Sequence, residues 1–433
     1  MAGGFSPLDE ELGLLPQVGL TPTLAESVVR LGTWIPFGVA VTMLEHFVHT
    51  QVSEATITRL TERAGAAYEA VQDAQAARLH TAARPAAVQG PPLQQVSVDG
   101  AFVPLVHKQW VEAKTLVIGT VQPPKRQADG TMEIHTSDLS YFSRVVECHT
   151  FTAKATIETA RRGTPTAGKV AGVVDGAAWE QDFLDVQCPD AVRILDWPHA
   201  VGYLAKVAQA LYGVDTRENH AWLAAQRETL LHGDPEVVLH RLQGVQEDLQ
   251  LQAGDGPPPP ALAVITESAD YLSKRRALLC YAEFRTAGYP IGSGAVESAN
   301  KLVVEARLKG AGMHWALAHV NPLLALRGMA CSDRWEEAWP QLVHQWRAQA
   351  RTTVLAHRQR HRAARQVAQD QAARAALLAP EAIERHVDPP GAQPATAVRP
   401  GRARATSRRP VAPHPWRALF LRPRSPARPD PGM

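Results

Sequence analysis

The sequence predicts an α/β protein whose mixed β-sheet core is interrupted by an all-helical insertion and flanked by helical N- and C-terminal regions. Three observations lead there. Residues 1–90 carry apolar positions at helical spacing. From Val96 the period changes, with valine-rich runs at 96–104, 114–122 and 169–174. After Asp196 the helical period returns and holds to about Ala287. Strands that follow one another directly, then strands alternating with helices, make a sheet of mixed strand direction.

The elements follow in order. LAESVVRLGTW (24–34) is a helix closed by Pro36, and FGVAVTMLEHFVHT (37–50) is a second, amphipathic one. A third starts at Ser53, whose hydroxyl can accept an orphan helix N–H. This outline fits a helix-turn-helix DNA-binding segment, and equally any small helical domain. Gln89–Pro92 punctuates the boundary. VSVDGAFVP is a short strand with a turn at Gly100; KTLVIGTVQ is a second; DLSYFSRVVEC (138–148) is a third. HTFTAKATIETARRG (149–163) is a helix with a glycine stop. KVAGVVDG is a buried strand ending at Asp175-Gly176, a helix follows, and AVRILD (191–196) is the last strand.

Helices then fill 197–287, the last a long one over 261–287 after the rigid PPPP at 257–260. The segment 316–386 is helical and rich in Ala and Arg. From 389 the chain is Pro/Arg-rich without apolar periodicity, which predicts disorder. The divisions expected are 1–90, 91–199, 200–287, 288–330, 331–388 and 389–433.

Composition narrows the function. No apolar run reaches the roughly 18–20 residues that span a bilayer, and MAGGFSPLDEELGLL lacks the basic n-region of a secretory signal. Cys148, Cys188, Cys280 and Cys331 lie far apart with no CxxC pair, which argues against a zinc knuckle or a disulfide framework and for a reducing cytosol. Net charge is +2, yet residues 391–433 hold nine arginines and one aspartate, so the rest of the chain is mildly acidic. Affinity for nucleic acid in that part must come from placed groups, not bulk charge.

Two aspartates, Asp99 and Asp175, end core strands, each followed by glycine. A buried carboxylate is costly unless paired or bound to a cation. Two such acids at one sheet edge are what two-metal phosphoryl transfer uses, whereas DG alone is a common turn dipeptide. Asp196 ends the next strand, with His199 three residues on; Asp196 is a helix cap, a supporting group or a metal ligand in place of Asp175. In Ile291–Trp315, Gly292-Ser293-Gly294 precedes a helix with Glu297 in its first turn, where the helix dipole favours a carboxylate. Lys301 and Glu305 share roughly its face, and Arg307 and Lys309 follow. No P-loop, GxSxG, HExxH, kinase set or GxGxxG is present.

SVDGAFVP, VVDGAAW, ILDWPHAVGYL and PIGSGAVESANKLVVEARLKGAGMHW resemble bacterial insertion-sequence transposases of the ISKra4 type, which are DDE transposases with an RNase H-like catalytic core. The resemblance runs from about Pro7 to Arg327. It implies that Asp99, Asp175 and Glu297 are the catalytic acids and hold two Mg²⁺ or Mn²⁺ ions, with Asp196 and His199 supporting them and the insertion at about 200–287. It implies metal-dependent DNA cleavage and strand transfer at element ends, a bacterial cytoplasmic, nucleoid-associated setting, terminal repeats and target DNA as partners, and a homo-oligomer on paired ends. Lys301, Arg307 and Lys309 are candidates for backbone contacts and Trp315 for base stacking; Arg307 and Lys309 at a solvated helix end, and Trp315 in the core, are the alternatives. A catalytically silent DNA-binding derivative and an RNase H-like nuclease are the other readings. The cysteine-rich N-terminal segment common in relatives is not in this sequence.

Overall fold

Thr21 opens the first helix, α1 (Pro22–Trp34): its hydroxyl accepts the Leu24 N–H at 3.4 Å, and Pro22 sits in the first turn, where no N–H is missed. Helix α2 (Phe37–Val48) follows Pro36, and Ser53 caps α3 (Glu54–Thr81) by accepting the Thr56 N–H at 3.3 Å. A computed structural model describes residues 11, 12, 14, 15, 18–81, 88–128, 132–254 and 256–378. The tail from 389, expected to be disordered, and most of PLDEELGL lie outside the described residues. The chain forms two units, Met1–Arg365 and Gln366–Met433.

The strands are β1 (Leu93–Pro104), β2 (Trp110–Val121), the two-residue pair β3 (Lys125–Arg126) and β4 (Met132–Glu133), β5 (Thr136–Arg144), β6 (Lys169–Val174) and β7 (Val192–Leu195). Five of them make one sheet in the order β5-β2-β1-β6-β7. β1, β2 and β5 are antiparallel neighbours, while β1, β6 and β7 run parallel. Between them lie α4 (Cys148–Arg161) and α5 (Ala178–Gln187). Alternation along the strands builds two layers. Val96, Val98, Leu116 and Ile118 pack on one face with Phe151 of α4 and Phe183 of α5. Ala101, Val103, Ala113 and Val117 pack on the other.

One expectation is corrected here. β1 does not turn at Gly100; it continues to Pro104, with Asp99 opposite Thr115 and Gly100 opposite Lys114 of β2. What ends near Asp99 is the pairing with β6, which stops at Val96–Gly172.

The helical segment after β7 is α6 (Trp197–Tyr212), α7 (Arg217–His232), α8 (Pro235–Ala253), α9 (Pro260–Ser273) and α10 (Tyr281–Thr286). Thr216 and Asp234 cap α7 and α8 through side-chain oxygens. Their apolar faces bury Leu204, Leu230, Leu242 and Ile265 together with Val173 and Ile194 of the sheet. The single long helix expected over 261–287 is broken: α9 ends at Ser273, and a short 3₁₀ turn, Arg276–Leu278, leads into α10. The break falls where Arg275 reaches back to the sheet.

The chain then returns through α11 (Gly294–Ala299), a π-helical turn (Asn300–Glu305) and α12 (Ala306–Leu308) to α13 (Leu317–Cys331) and α14 (Trp335–Leu378). A π turn misaligns backbone carbonyls. Buried Arg327 of α13 answers it, donating to the carbonyl of Leu302 and, at 3.4 Å, to that of Val303. Asn321 holds α13 on the end of β5, accepting the Val145 N–H at 2.7 Å and donating to its carbonyl at 3.2 Å. α3 crosses α13 so closely that a Cβ on Gly65 would stand 2.2 Å from the Pro322 carbonyl oxygen.

Candidate metal centre

Strand register assembles the site. Leu93 pairs with Lys169 and Val96 with Gly172, so continuing β1 and β6 brings Asp99 level with Asp175. Val174 pairs with Leu195, so one more step brings Asp175 level with Asp196. Three acids from three adjacent parallel strands thus end in one row. Asp99 follows the parity of Ala101 and Val103, so its side chain faces the α11–α13 side of the sheet.

The row divides by function. The Asp196 carboxylate is consumed by backbone: one oxygen accepts the His199 N–H at 2.9 Å, the other the Ser293 N–H at 2.6 Å. It caps α6 and ties down the loop before α11. The cap is what this carboxylate does here, which leaves Asp175 as the acid of the pair that is not tied up by backbone donors. Neither glycine of Gly292-Ser293-Gly294 is sterically required, since a Cβ at Gly292 or Gly294 would meet nothing within 4 Å.

Asp99 accepts the Gly100 N–H at 2.7 Å and the Asn300 side-chain amide at 2.8 Å. Asn300 opens the π turn and is buried; its own carbonyl oxygen Oδ1 has no hydrogen-bond partner among the described residues. Asp175 lies at the end of β6, with Gly176 next in the left-handed region at φ +84°. His199 Nδ1 stands 3.8 Å from Asp175 Oδ2.

A third acid enters the cluster that sequence reasoning did not single out. Glu180, in the first turn of α5, turns back so that its Oε2 accepts the N–H groups of Gly176 and Ala177 at 3.0 and 3.1 Å. Ligand atoms of Asp99, Asp175 and Glu180 all lie within 4.8 Å of one another. An acid three residues into a helix looks like a cap, so its sequence signal was ambiguous.

Glu297 is exposed on α11, outside that tight cluster. Its charge nevertheless reaches the site, pushing the carboxyls of both Asp99 and Asp175 upward. Burial is the main cause of the shifts. It raises Asp99 to about 6, with help from Asp175. It raises Asp175 as well, against the opposing pull of His199. It raises Glu180 to about 8, with Asp175 and Asp99 adding repulsion. Two half-buried carboxylates and a buried one that resist ionisation together, offering oxygens alone, fit a hard divalent cation such as Mg²⁺ or Mn²⁺.

Two of the expected DNA contacts are corrected. Arg307 is buried, donates to the Gly32 carbonyl at 3.0 Å, and lies over the rings of Phe37 and Trp315, 4.4 and 5.2 Å from their centroids. Burial lowers its pKa to about 10. Trp315 is buried too; its indole N–H donates to the Leu308 carbonyl at 2.9 Å and its backbone bridges Leu105. Both join the N-terminal helices to the core, and neither faces solvent. Lys301 and Lys309 are exposed, with Lys309 paired to Glu305 at 2.8 Å.

No protein-family model and no curated protein matches the chain. Among the described residues, no helix is long and apolar enough to cross a membrane.

Proposed function

We propose that the chain is a DDE transposase with an RNase H-like core, cleaving and joining DNA at the ends of an insertion sequence with divalent metal. One observation carries this reading: Asp99 and Asp175 stand level across parallel strands, with Glu180 within 4.8 Å of both and Glu297 charging the same space from a later helix. The strand order, three antiparallel strands followed by two parallel ones, supports the same core.

Asp99, Asp175 and Glu180 would hold the metal, with Glu297 completing the set. Bound divalent cations would supply charge neutralisation and an activated oxygen nucleophile for in-line attack at phosphorus. The chain's own groups do the rest. Asn300 fixes the Asp99 carboxylate, the Gly176 and Ala177 amides fix Glu180, and His199 stands beside Asp175. Exposed Lys301 and Lys309 offer cations to the DNA backbone. DNA ends and target are the partners, with a homo-oligomer bringing two ends together.

Purified chain with element-end DNA and Mg²⁺ should nick and join strands. Asp99→Asn, Asp175→Asn and Glu297→Gln should each lose this while still binding DNA. Cleavage without joining, indifferent to element ends, would point to a nuclease. Binding without metal-dependent cleavage would point to a silent derivative. Activity in Asp175→Asn with loss in Asp196→Asn would move the second acid to Asp196.

A further inference from the structure

The helical segment between β7 and α11 does more than fill space beside the sheet. Three of its side chains grip backbone carbonyls at the C-terminal ends of β6 and β7. The Tyr271 hydroxyl donates to the carbonyl of Asp175 itself. Arg275 donates twice to the carbonyl of Gly176, from Nε at 3.1 Å and from its terminal nitrogen at 2.6 Å. The Tyr281 hydroxyl, buried, donates to the Leu195 carbonyl at 2.9 Å. The successive carbonyls of Asp175 and Gly176, on either side of the Gly176 Cα, are therefore held by one helix end.

The grip is itself braced. Arg275 lies 3.7 Å over the Tyr271 ring, and Tyr203 stacks on Tyr271 with centroids 4.0 Å apart and planes 12° from parallel. His199, the neighbour of the Asp175 carboxylate, meets both tyrosine rings. Arg275 also packs against Gly176 so tightly that a Cβ there would stand 2.5 Å from Arg275 Nε. The glycine and the arginine thus fit as a pair, and the left-handed turn that aims Asp175 is shaped by both. The break between α9 and α10 puts Arg275 where it can do this.

From this geometry we infer that Tyr271 and Arg275 are positioning residues for Asp175: the helical insertion sets the aim of the second acid, and so the metal affinity of the site. The inference rests on the metal-centre reading above. Neither residue touches the reacting atoms; each acts through the backbone of the turn. Partners placed behind a metal ligand commonly change metal affinity by roughly 10–100-fold when removed.

The test is Mn²⁺ binding to the full chain, followed by titration calorimetry and by the loss of the free-ion electron paramagnetic resonance signal. Asp175→Asn provides the reference for a lost ligand. Tyr271→Phe removes one hydroxyl and keeps the stack; Arg275→Ala removes both donors; Arg275→Lys keeps one. Expected is a weakening of about tenfold or more in Arg275→Ala, a smaller one in Tyr271→Phe, and partial recovery in Arg275→Lys, with unchanged far-ultraviolet circular dichroism. Native Mn²⁺ affinity in folded Tyr271→Phe and Arg275→Ala would overturn the positioning role and leave the metal centre standing. Failure of the unaltered chain to bind Mn²⁺ would overturn both.

Discussion

Asp99 and Asp175 become neighbours because the register that pairs Val96 with Gly172 continues past the last β1–β6 hydrogen bonds. The pairing ends at Val96–Gly172, and the two carboxylates lie within 4.8 Å of each other beyond it. Glu180 lies within the same distance of both.

In chelator, the site should make stability fall as pH rises. Asp99 and Glu180 have folded pKa values raised to about 6 and about 8. A raised acid favours folding fully below its unfolded pKa, near 4, and loses that contribution as pH climbs through its folded pKa. Melting temperature of the metal-free chain should therefore decline across pH 4–8, more steeply than in Asp99→Asn. At pH 8 in chelator, Asp99→Asn should melt higher than the unaltered chain by about 2 °C or more. Mg²⁺ at pH 8 should raise the melting point of the unaltered chain and not that of the variant. Scanning calorimetry at pH 4, 6 and 8, with and without Mg²⁺, measures all of this.

Glu180→Gln separates two roles in one side chain. Its amide oxygen can still accept the Gly176 and Ala177 N–H groups, so the start of α5 should survive. The anionic ligand is lost, so Mg²⁺-dependent turnover should drop by at least about tenfold. Equal Mg²⁺ dependence in the variant and the unaltered chain would exclude Glu180 from the metal set.

Cations along 301–309 should respond oppositely to substitution. Lys301→Ala and Lys309→Ala should leave the melting temperature unchanged and weaken DNA binding, each lowering the salt slope of log K by about 1. Arg307→Ala should instead destabilise the fold, because it empties a buried site between Phe37 and Trp315 and strands the Gly32 carbonyl. A loss of roughly 2–4 kcal/mol is expected, read by urea denaturation.

The π turn depends on Arg327. Arg327→Met keeps most of the packing and removes the donors to Leu302 and Val303. It should cost roughly 2–4 kcal/mol and release Asn300 from Asp99, so Mn²⁺ affinity should fall with stability. Asn300→Ala should lower Mn²⁺ affinity with a smaller effect on unfolding. A stable Arg327→Met chain with native Mn²⁺ affinity would show that the π turn holds without this arginine.

Gly65→Ala tests the crossing of α3 and α13. The added methyl meets a backbone carbonyl, not a flexible side-chain end, so the helices must move apart. A loss of about 2 kcal/mol or more is expected, with the metal centre intact in whatever fraction remains folded.

Local patterns in the sequence were enough for the mixed α/β class, the two buried strands that end at Asp175 and Asp196, and the cap at Ser53, while the cap at Asp196 was one of three roles they left open. Those features depend on period, on turn chemistry and on side chains a few residues from their partners. Tertiary structure decided the rest. Glu180 carries no mark of its own in the local sequence and joins Asp99 and Asp175 only in the fold. Arg307 read as a DNA contact or a solvated helix end, and Trp315 as a base-stacking or a core residue; Phe37 and Gly32, far away in the chain, bury Arg307, and Trp315 lies in the core. β1 passes through Asp99, paired with β2 to Pro104, and the helix expected over 261–287 breaks at the point where Arg275 reaches Gly176. In each case the deciding energy is a contact between residues distant in sequence, which local periodicity does not encode.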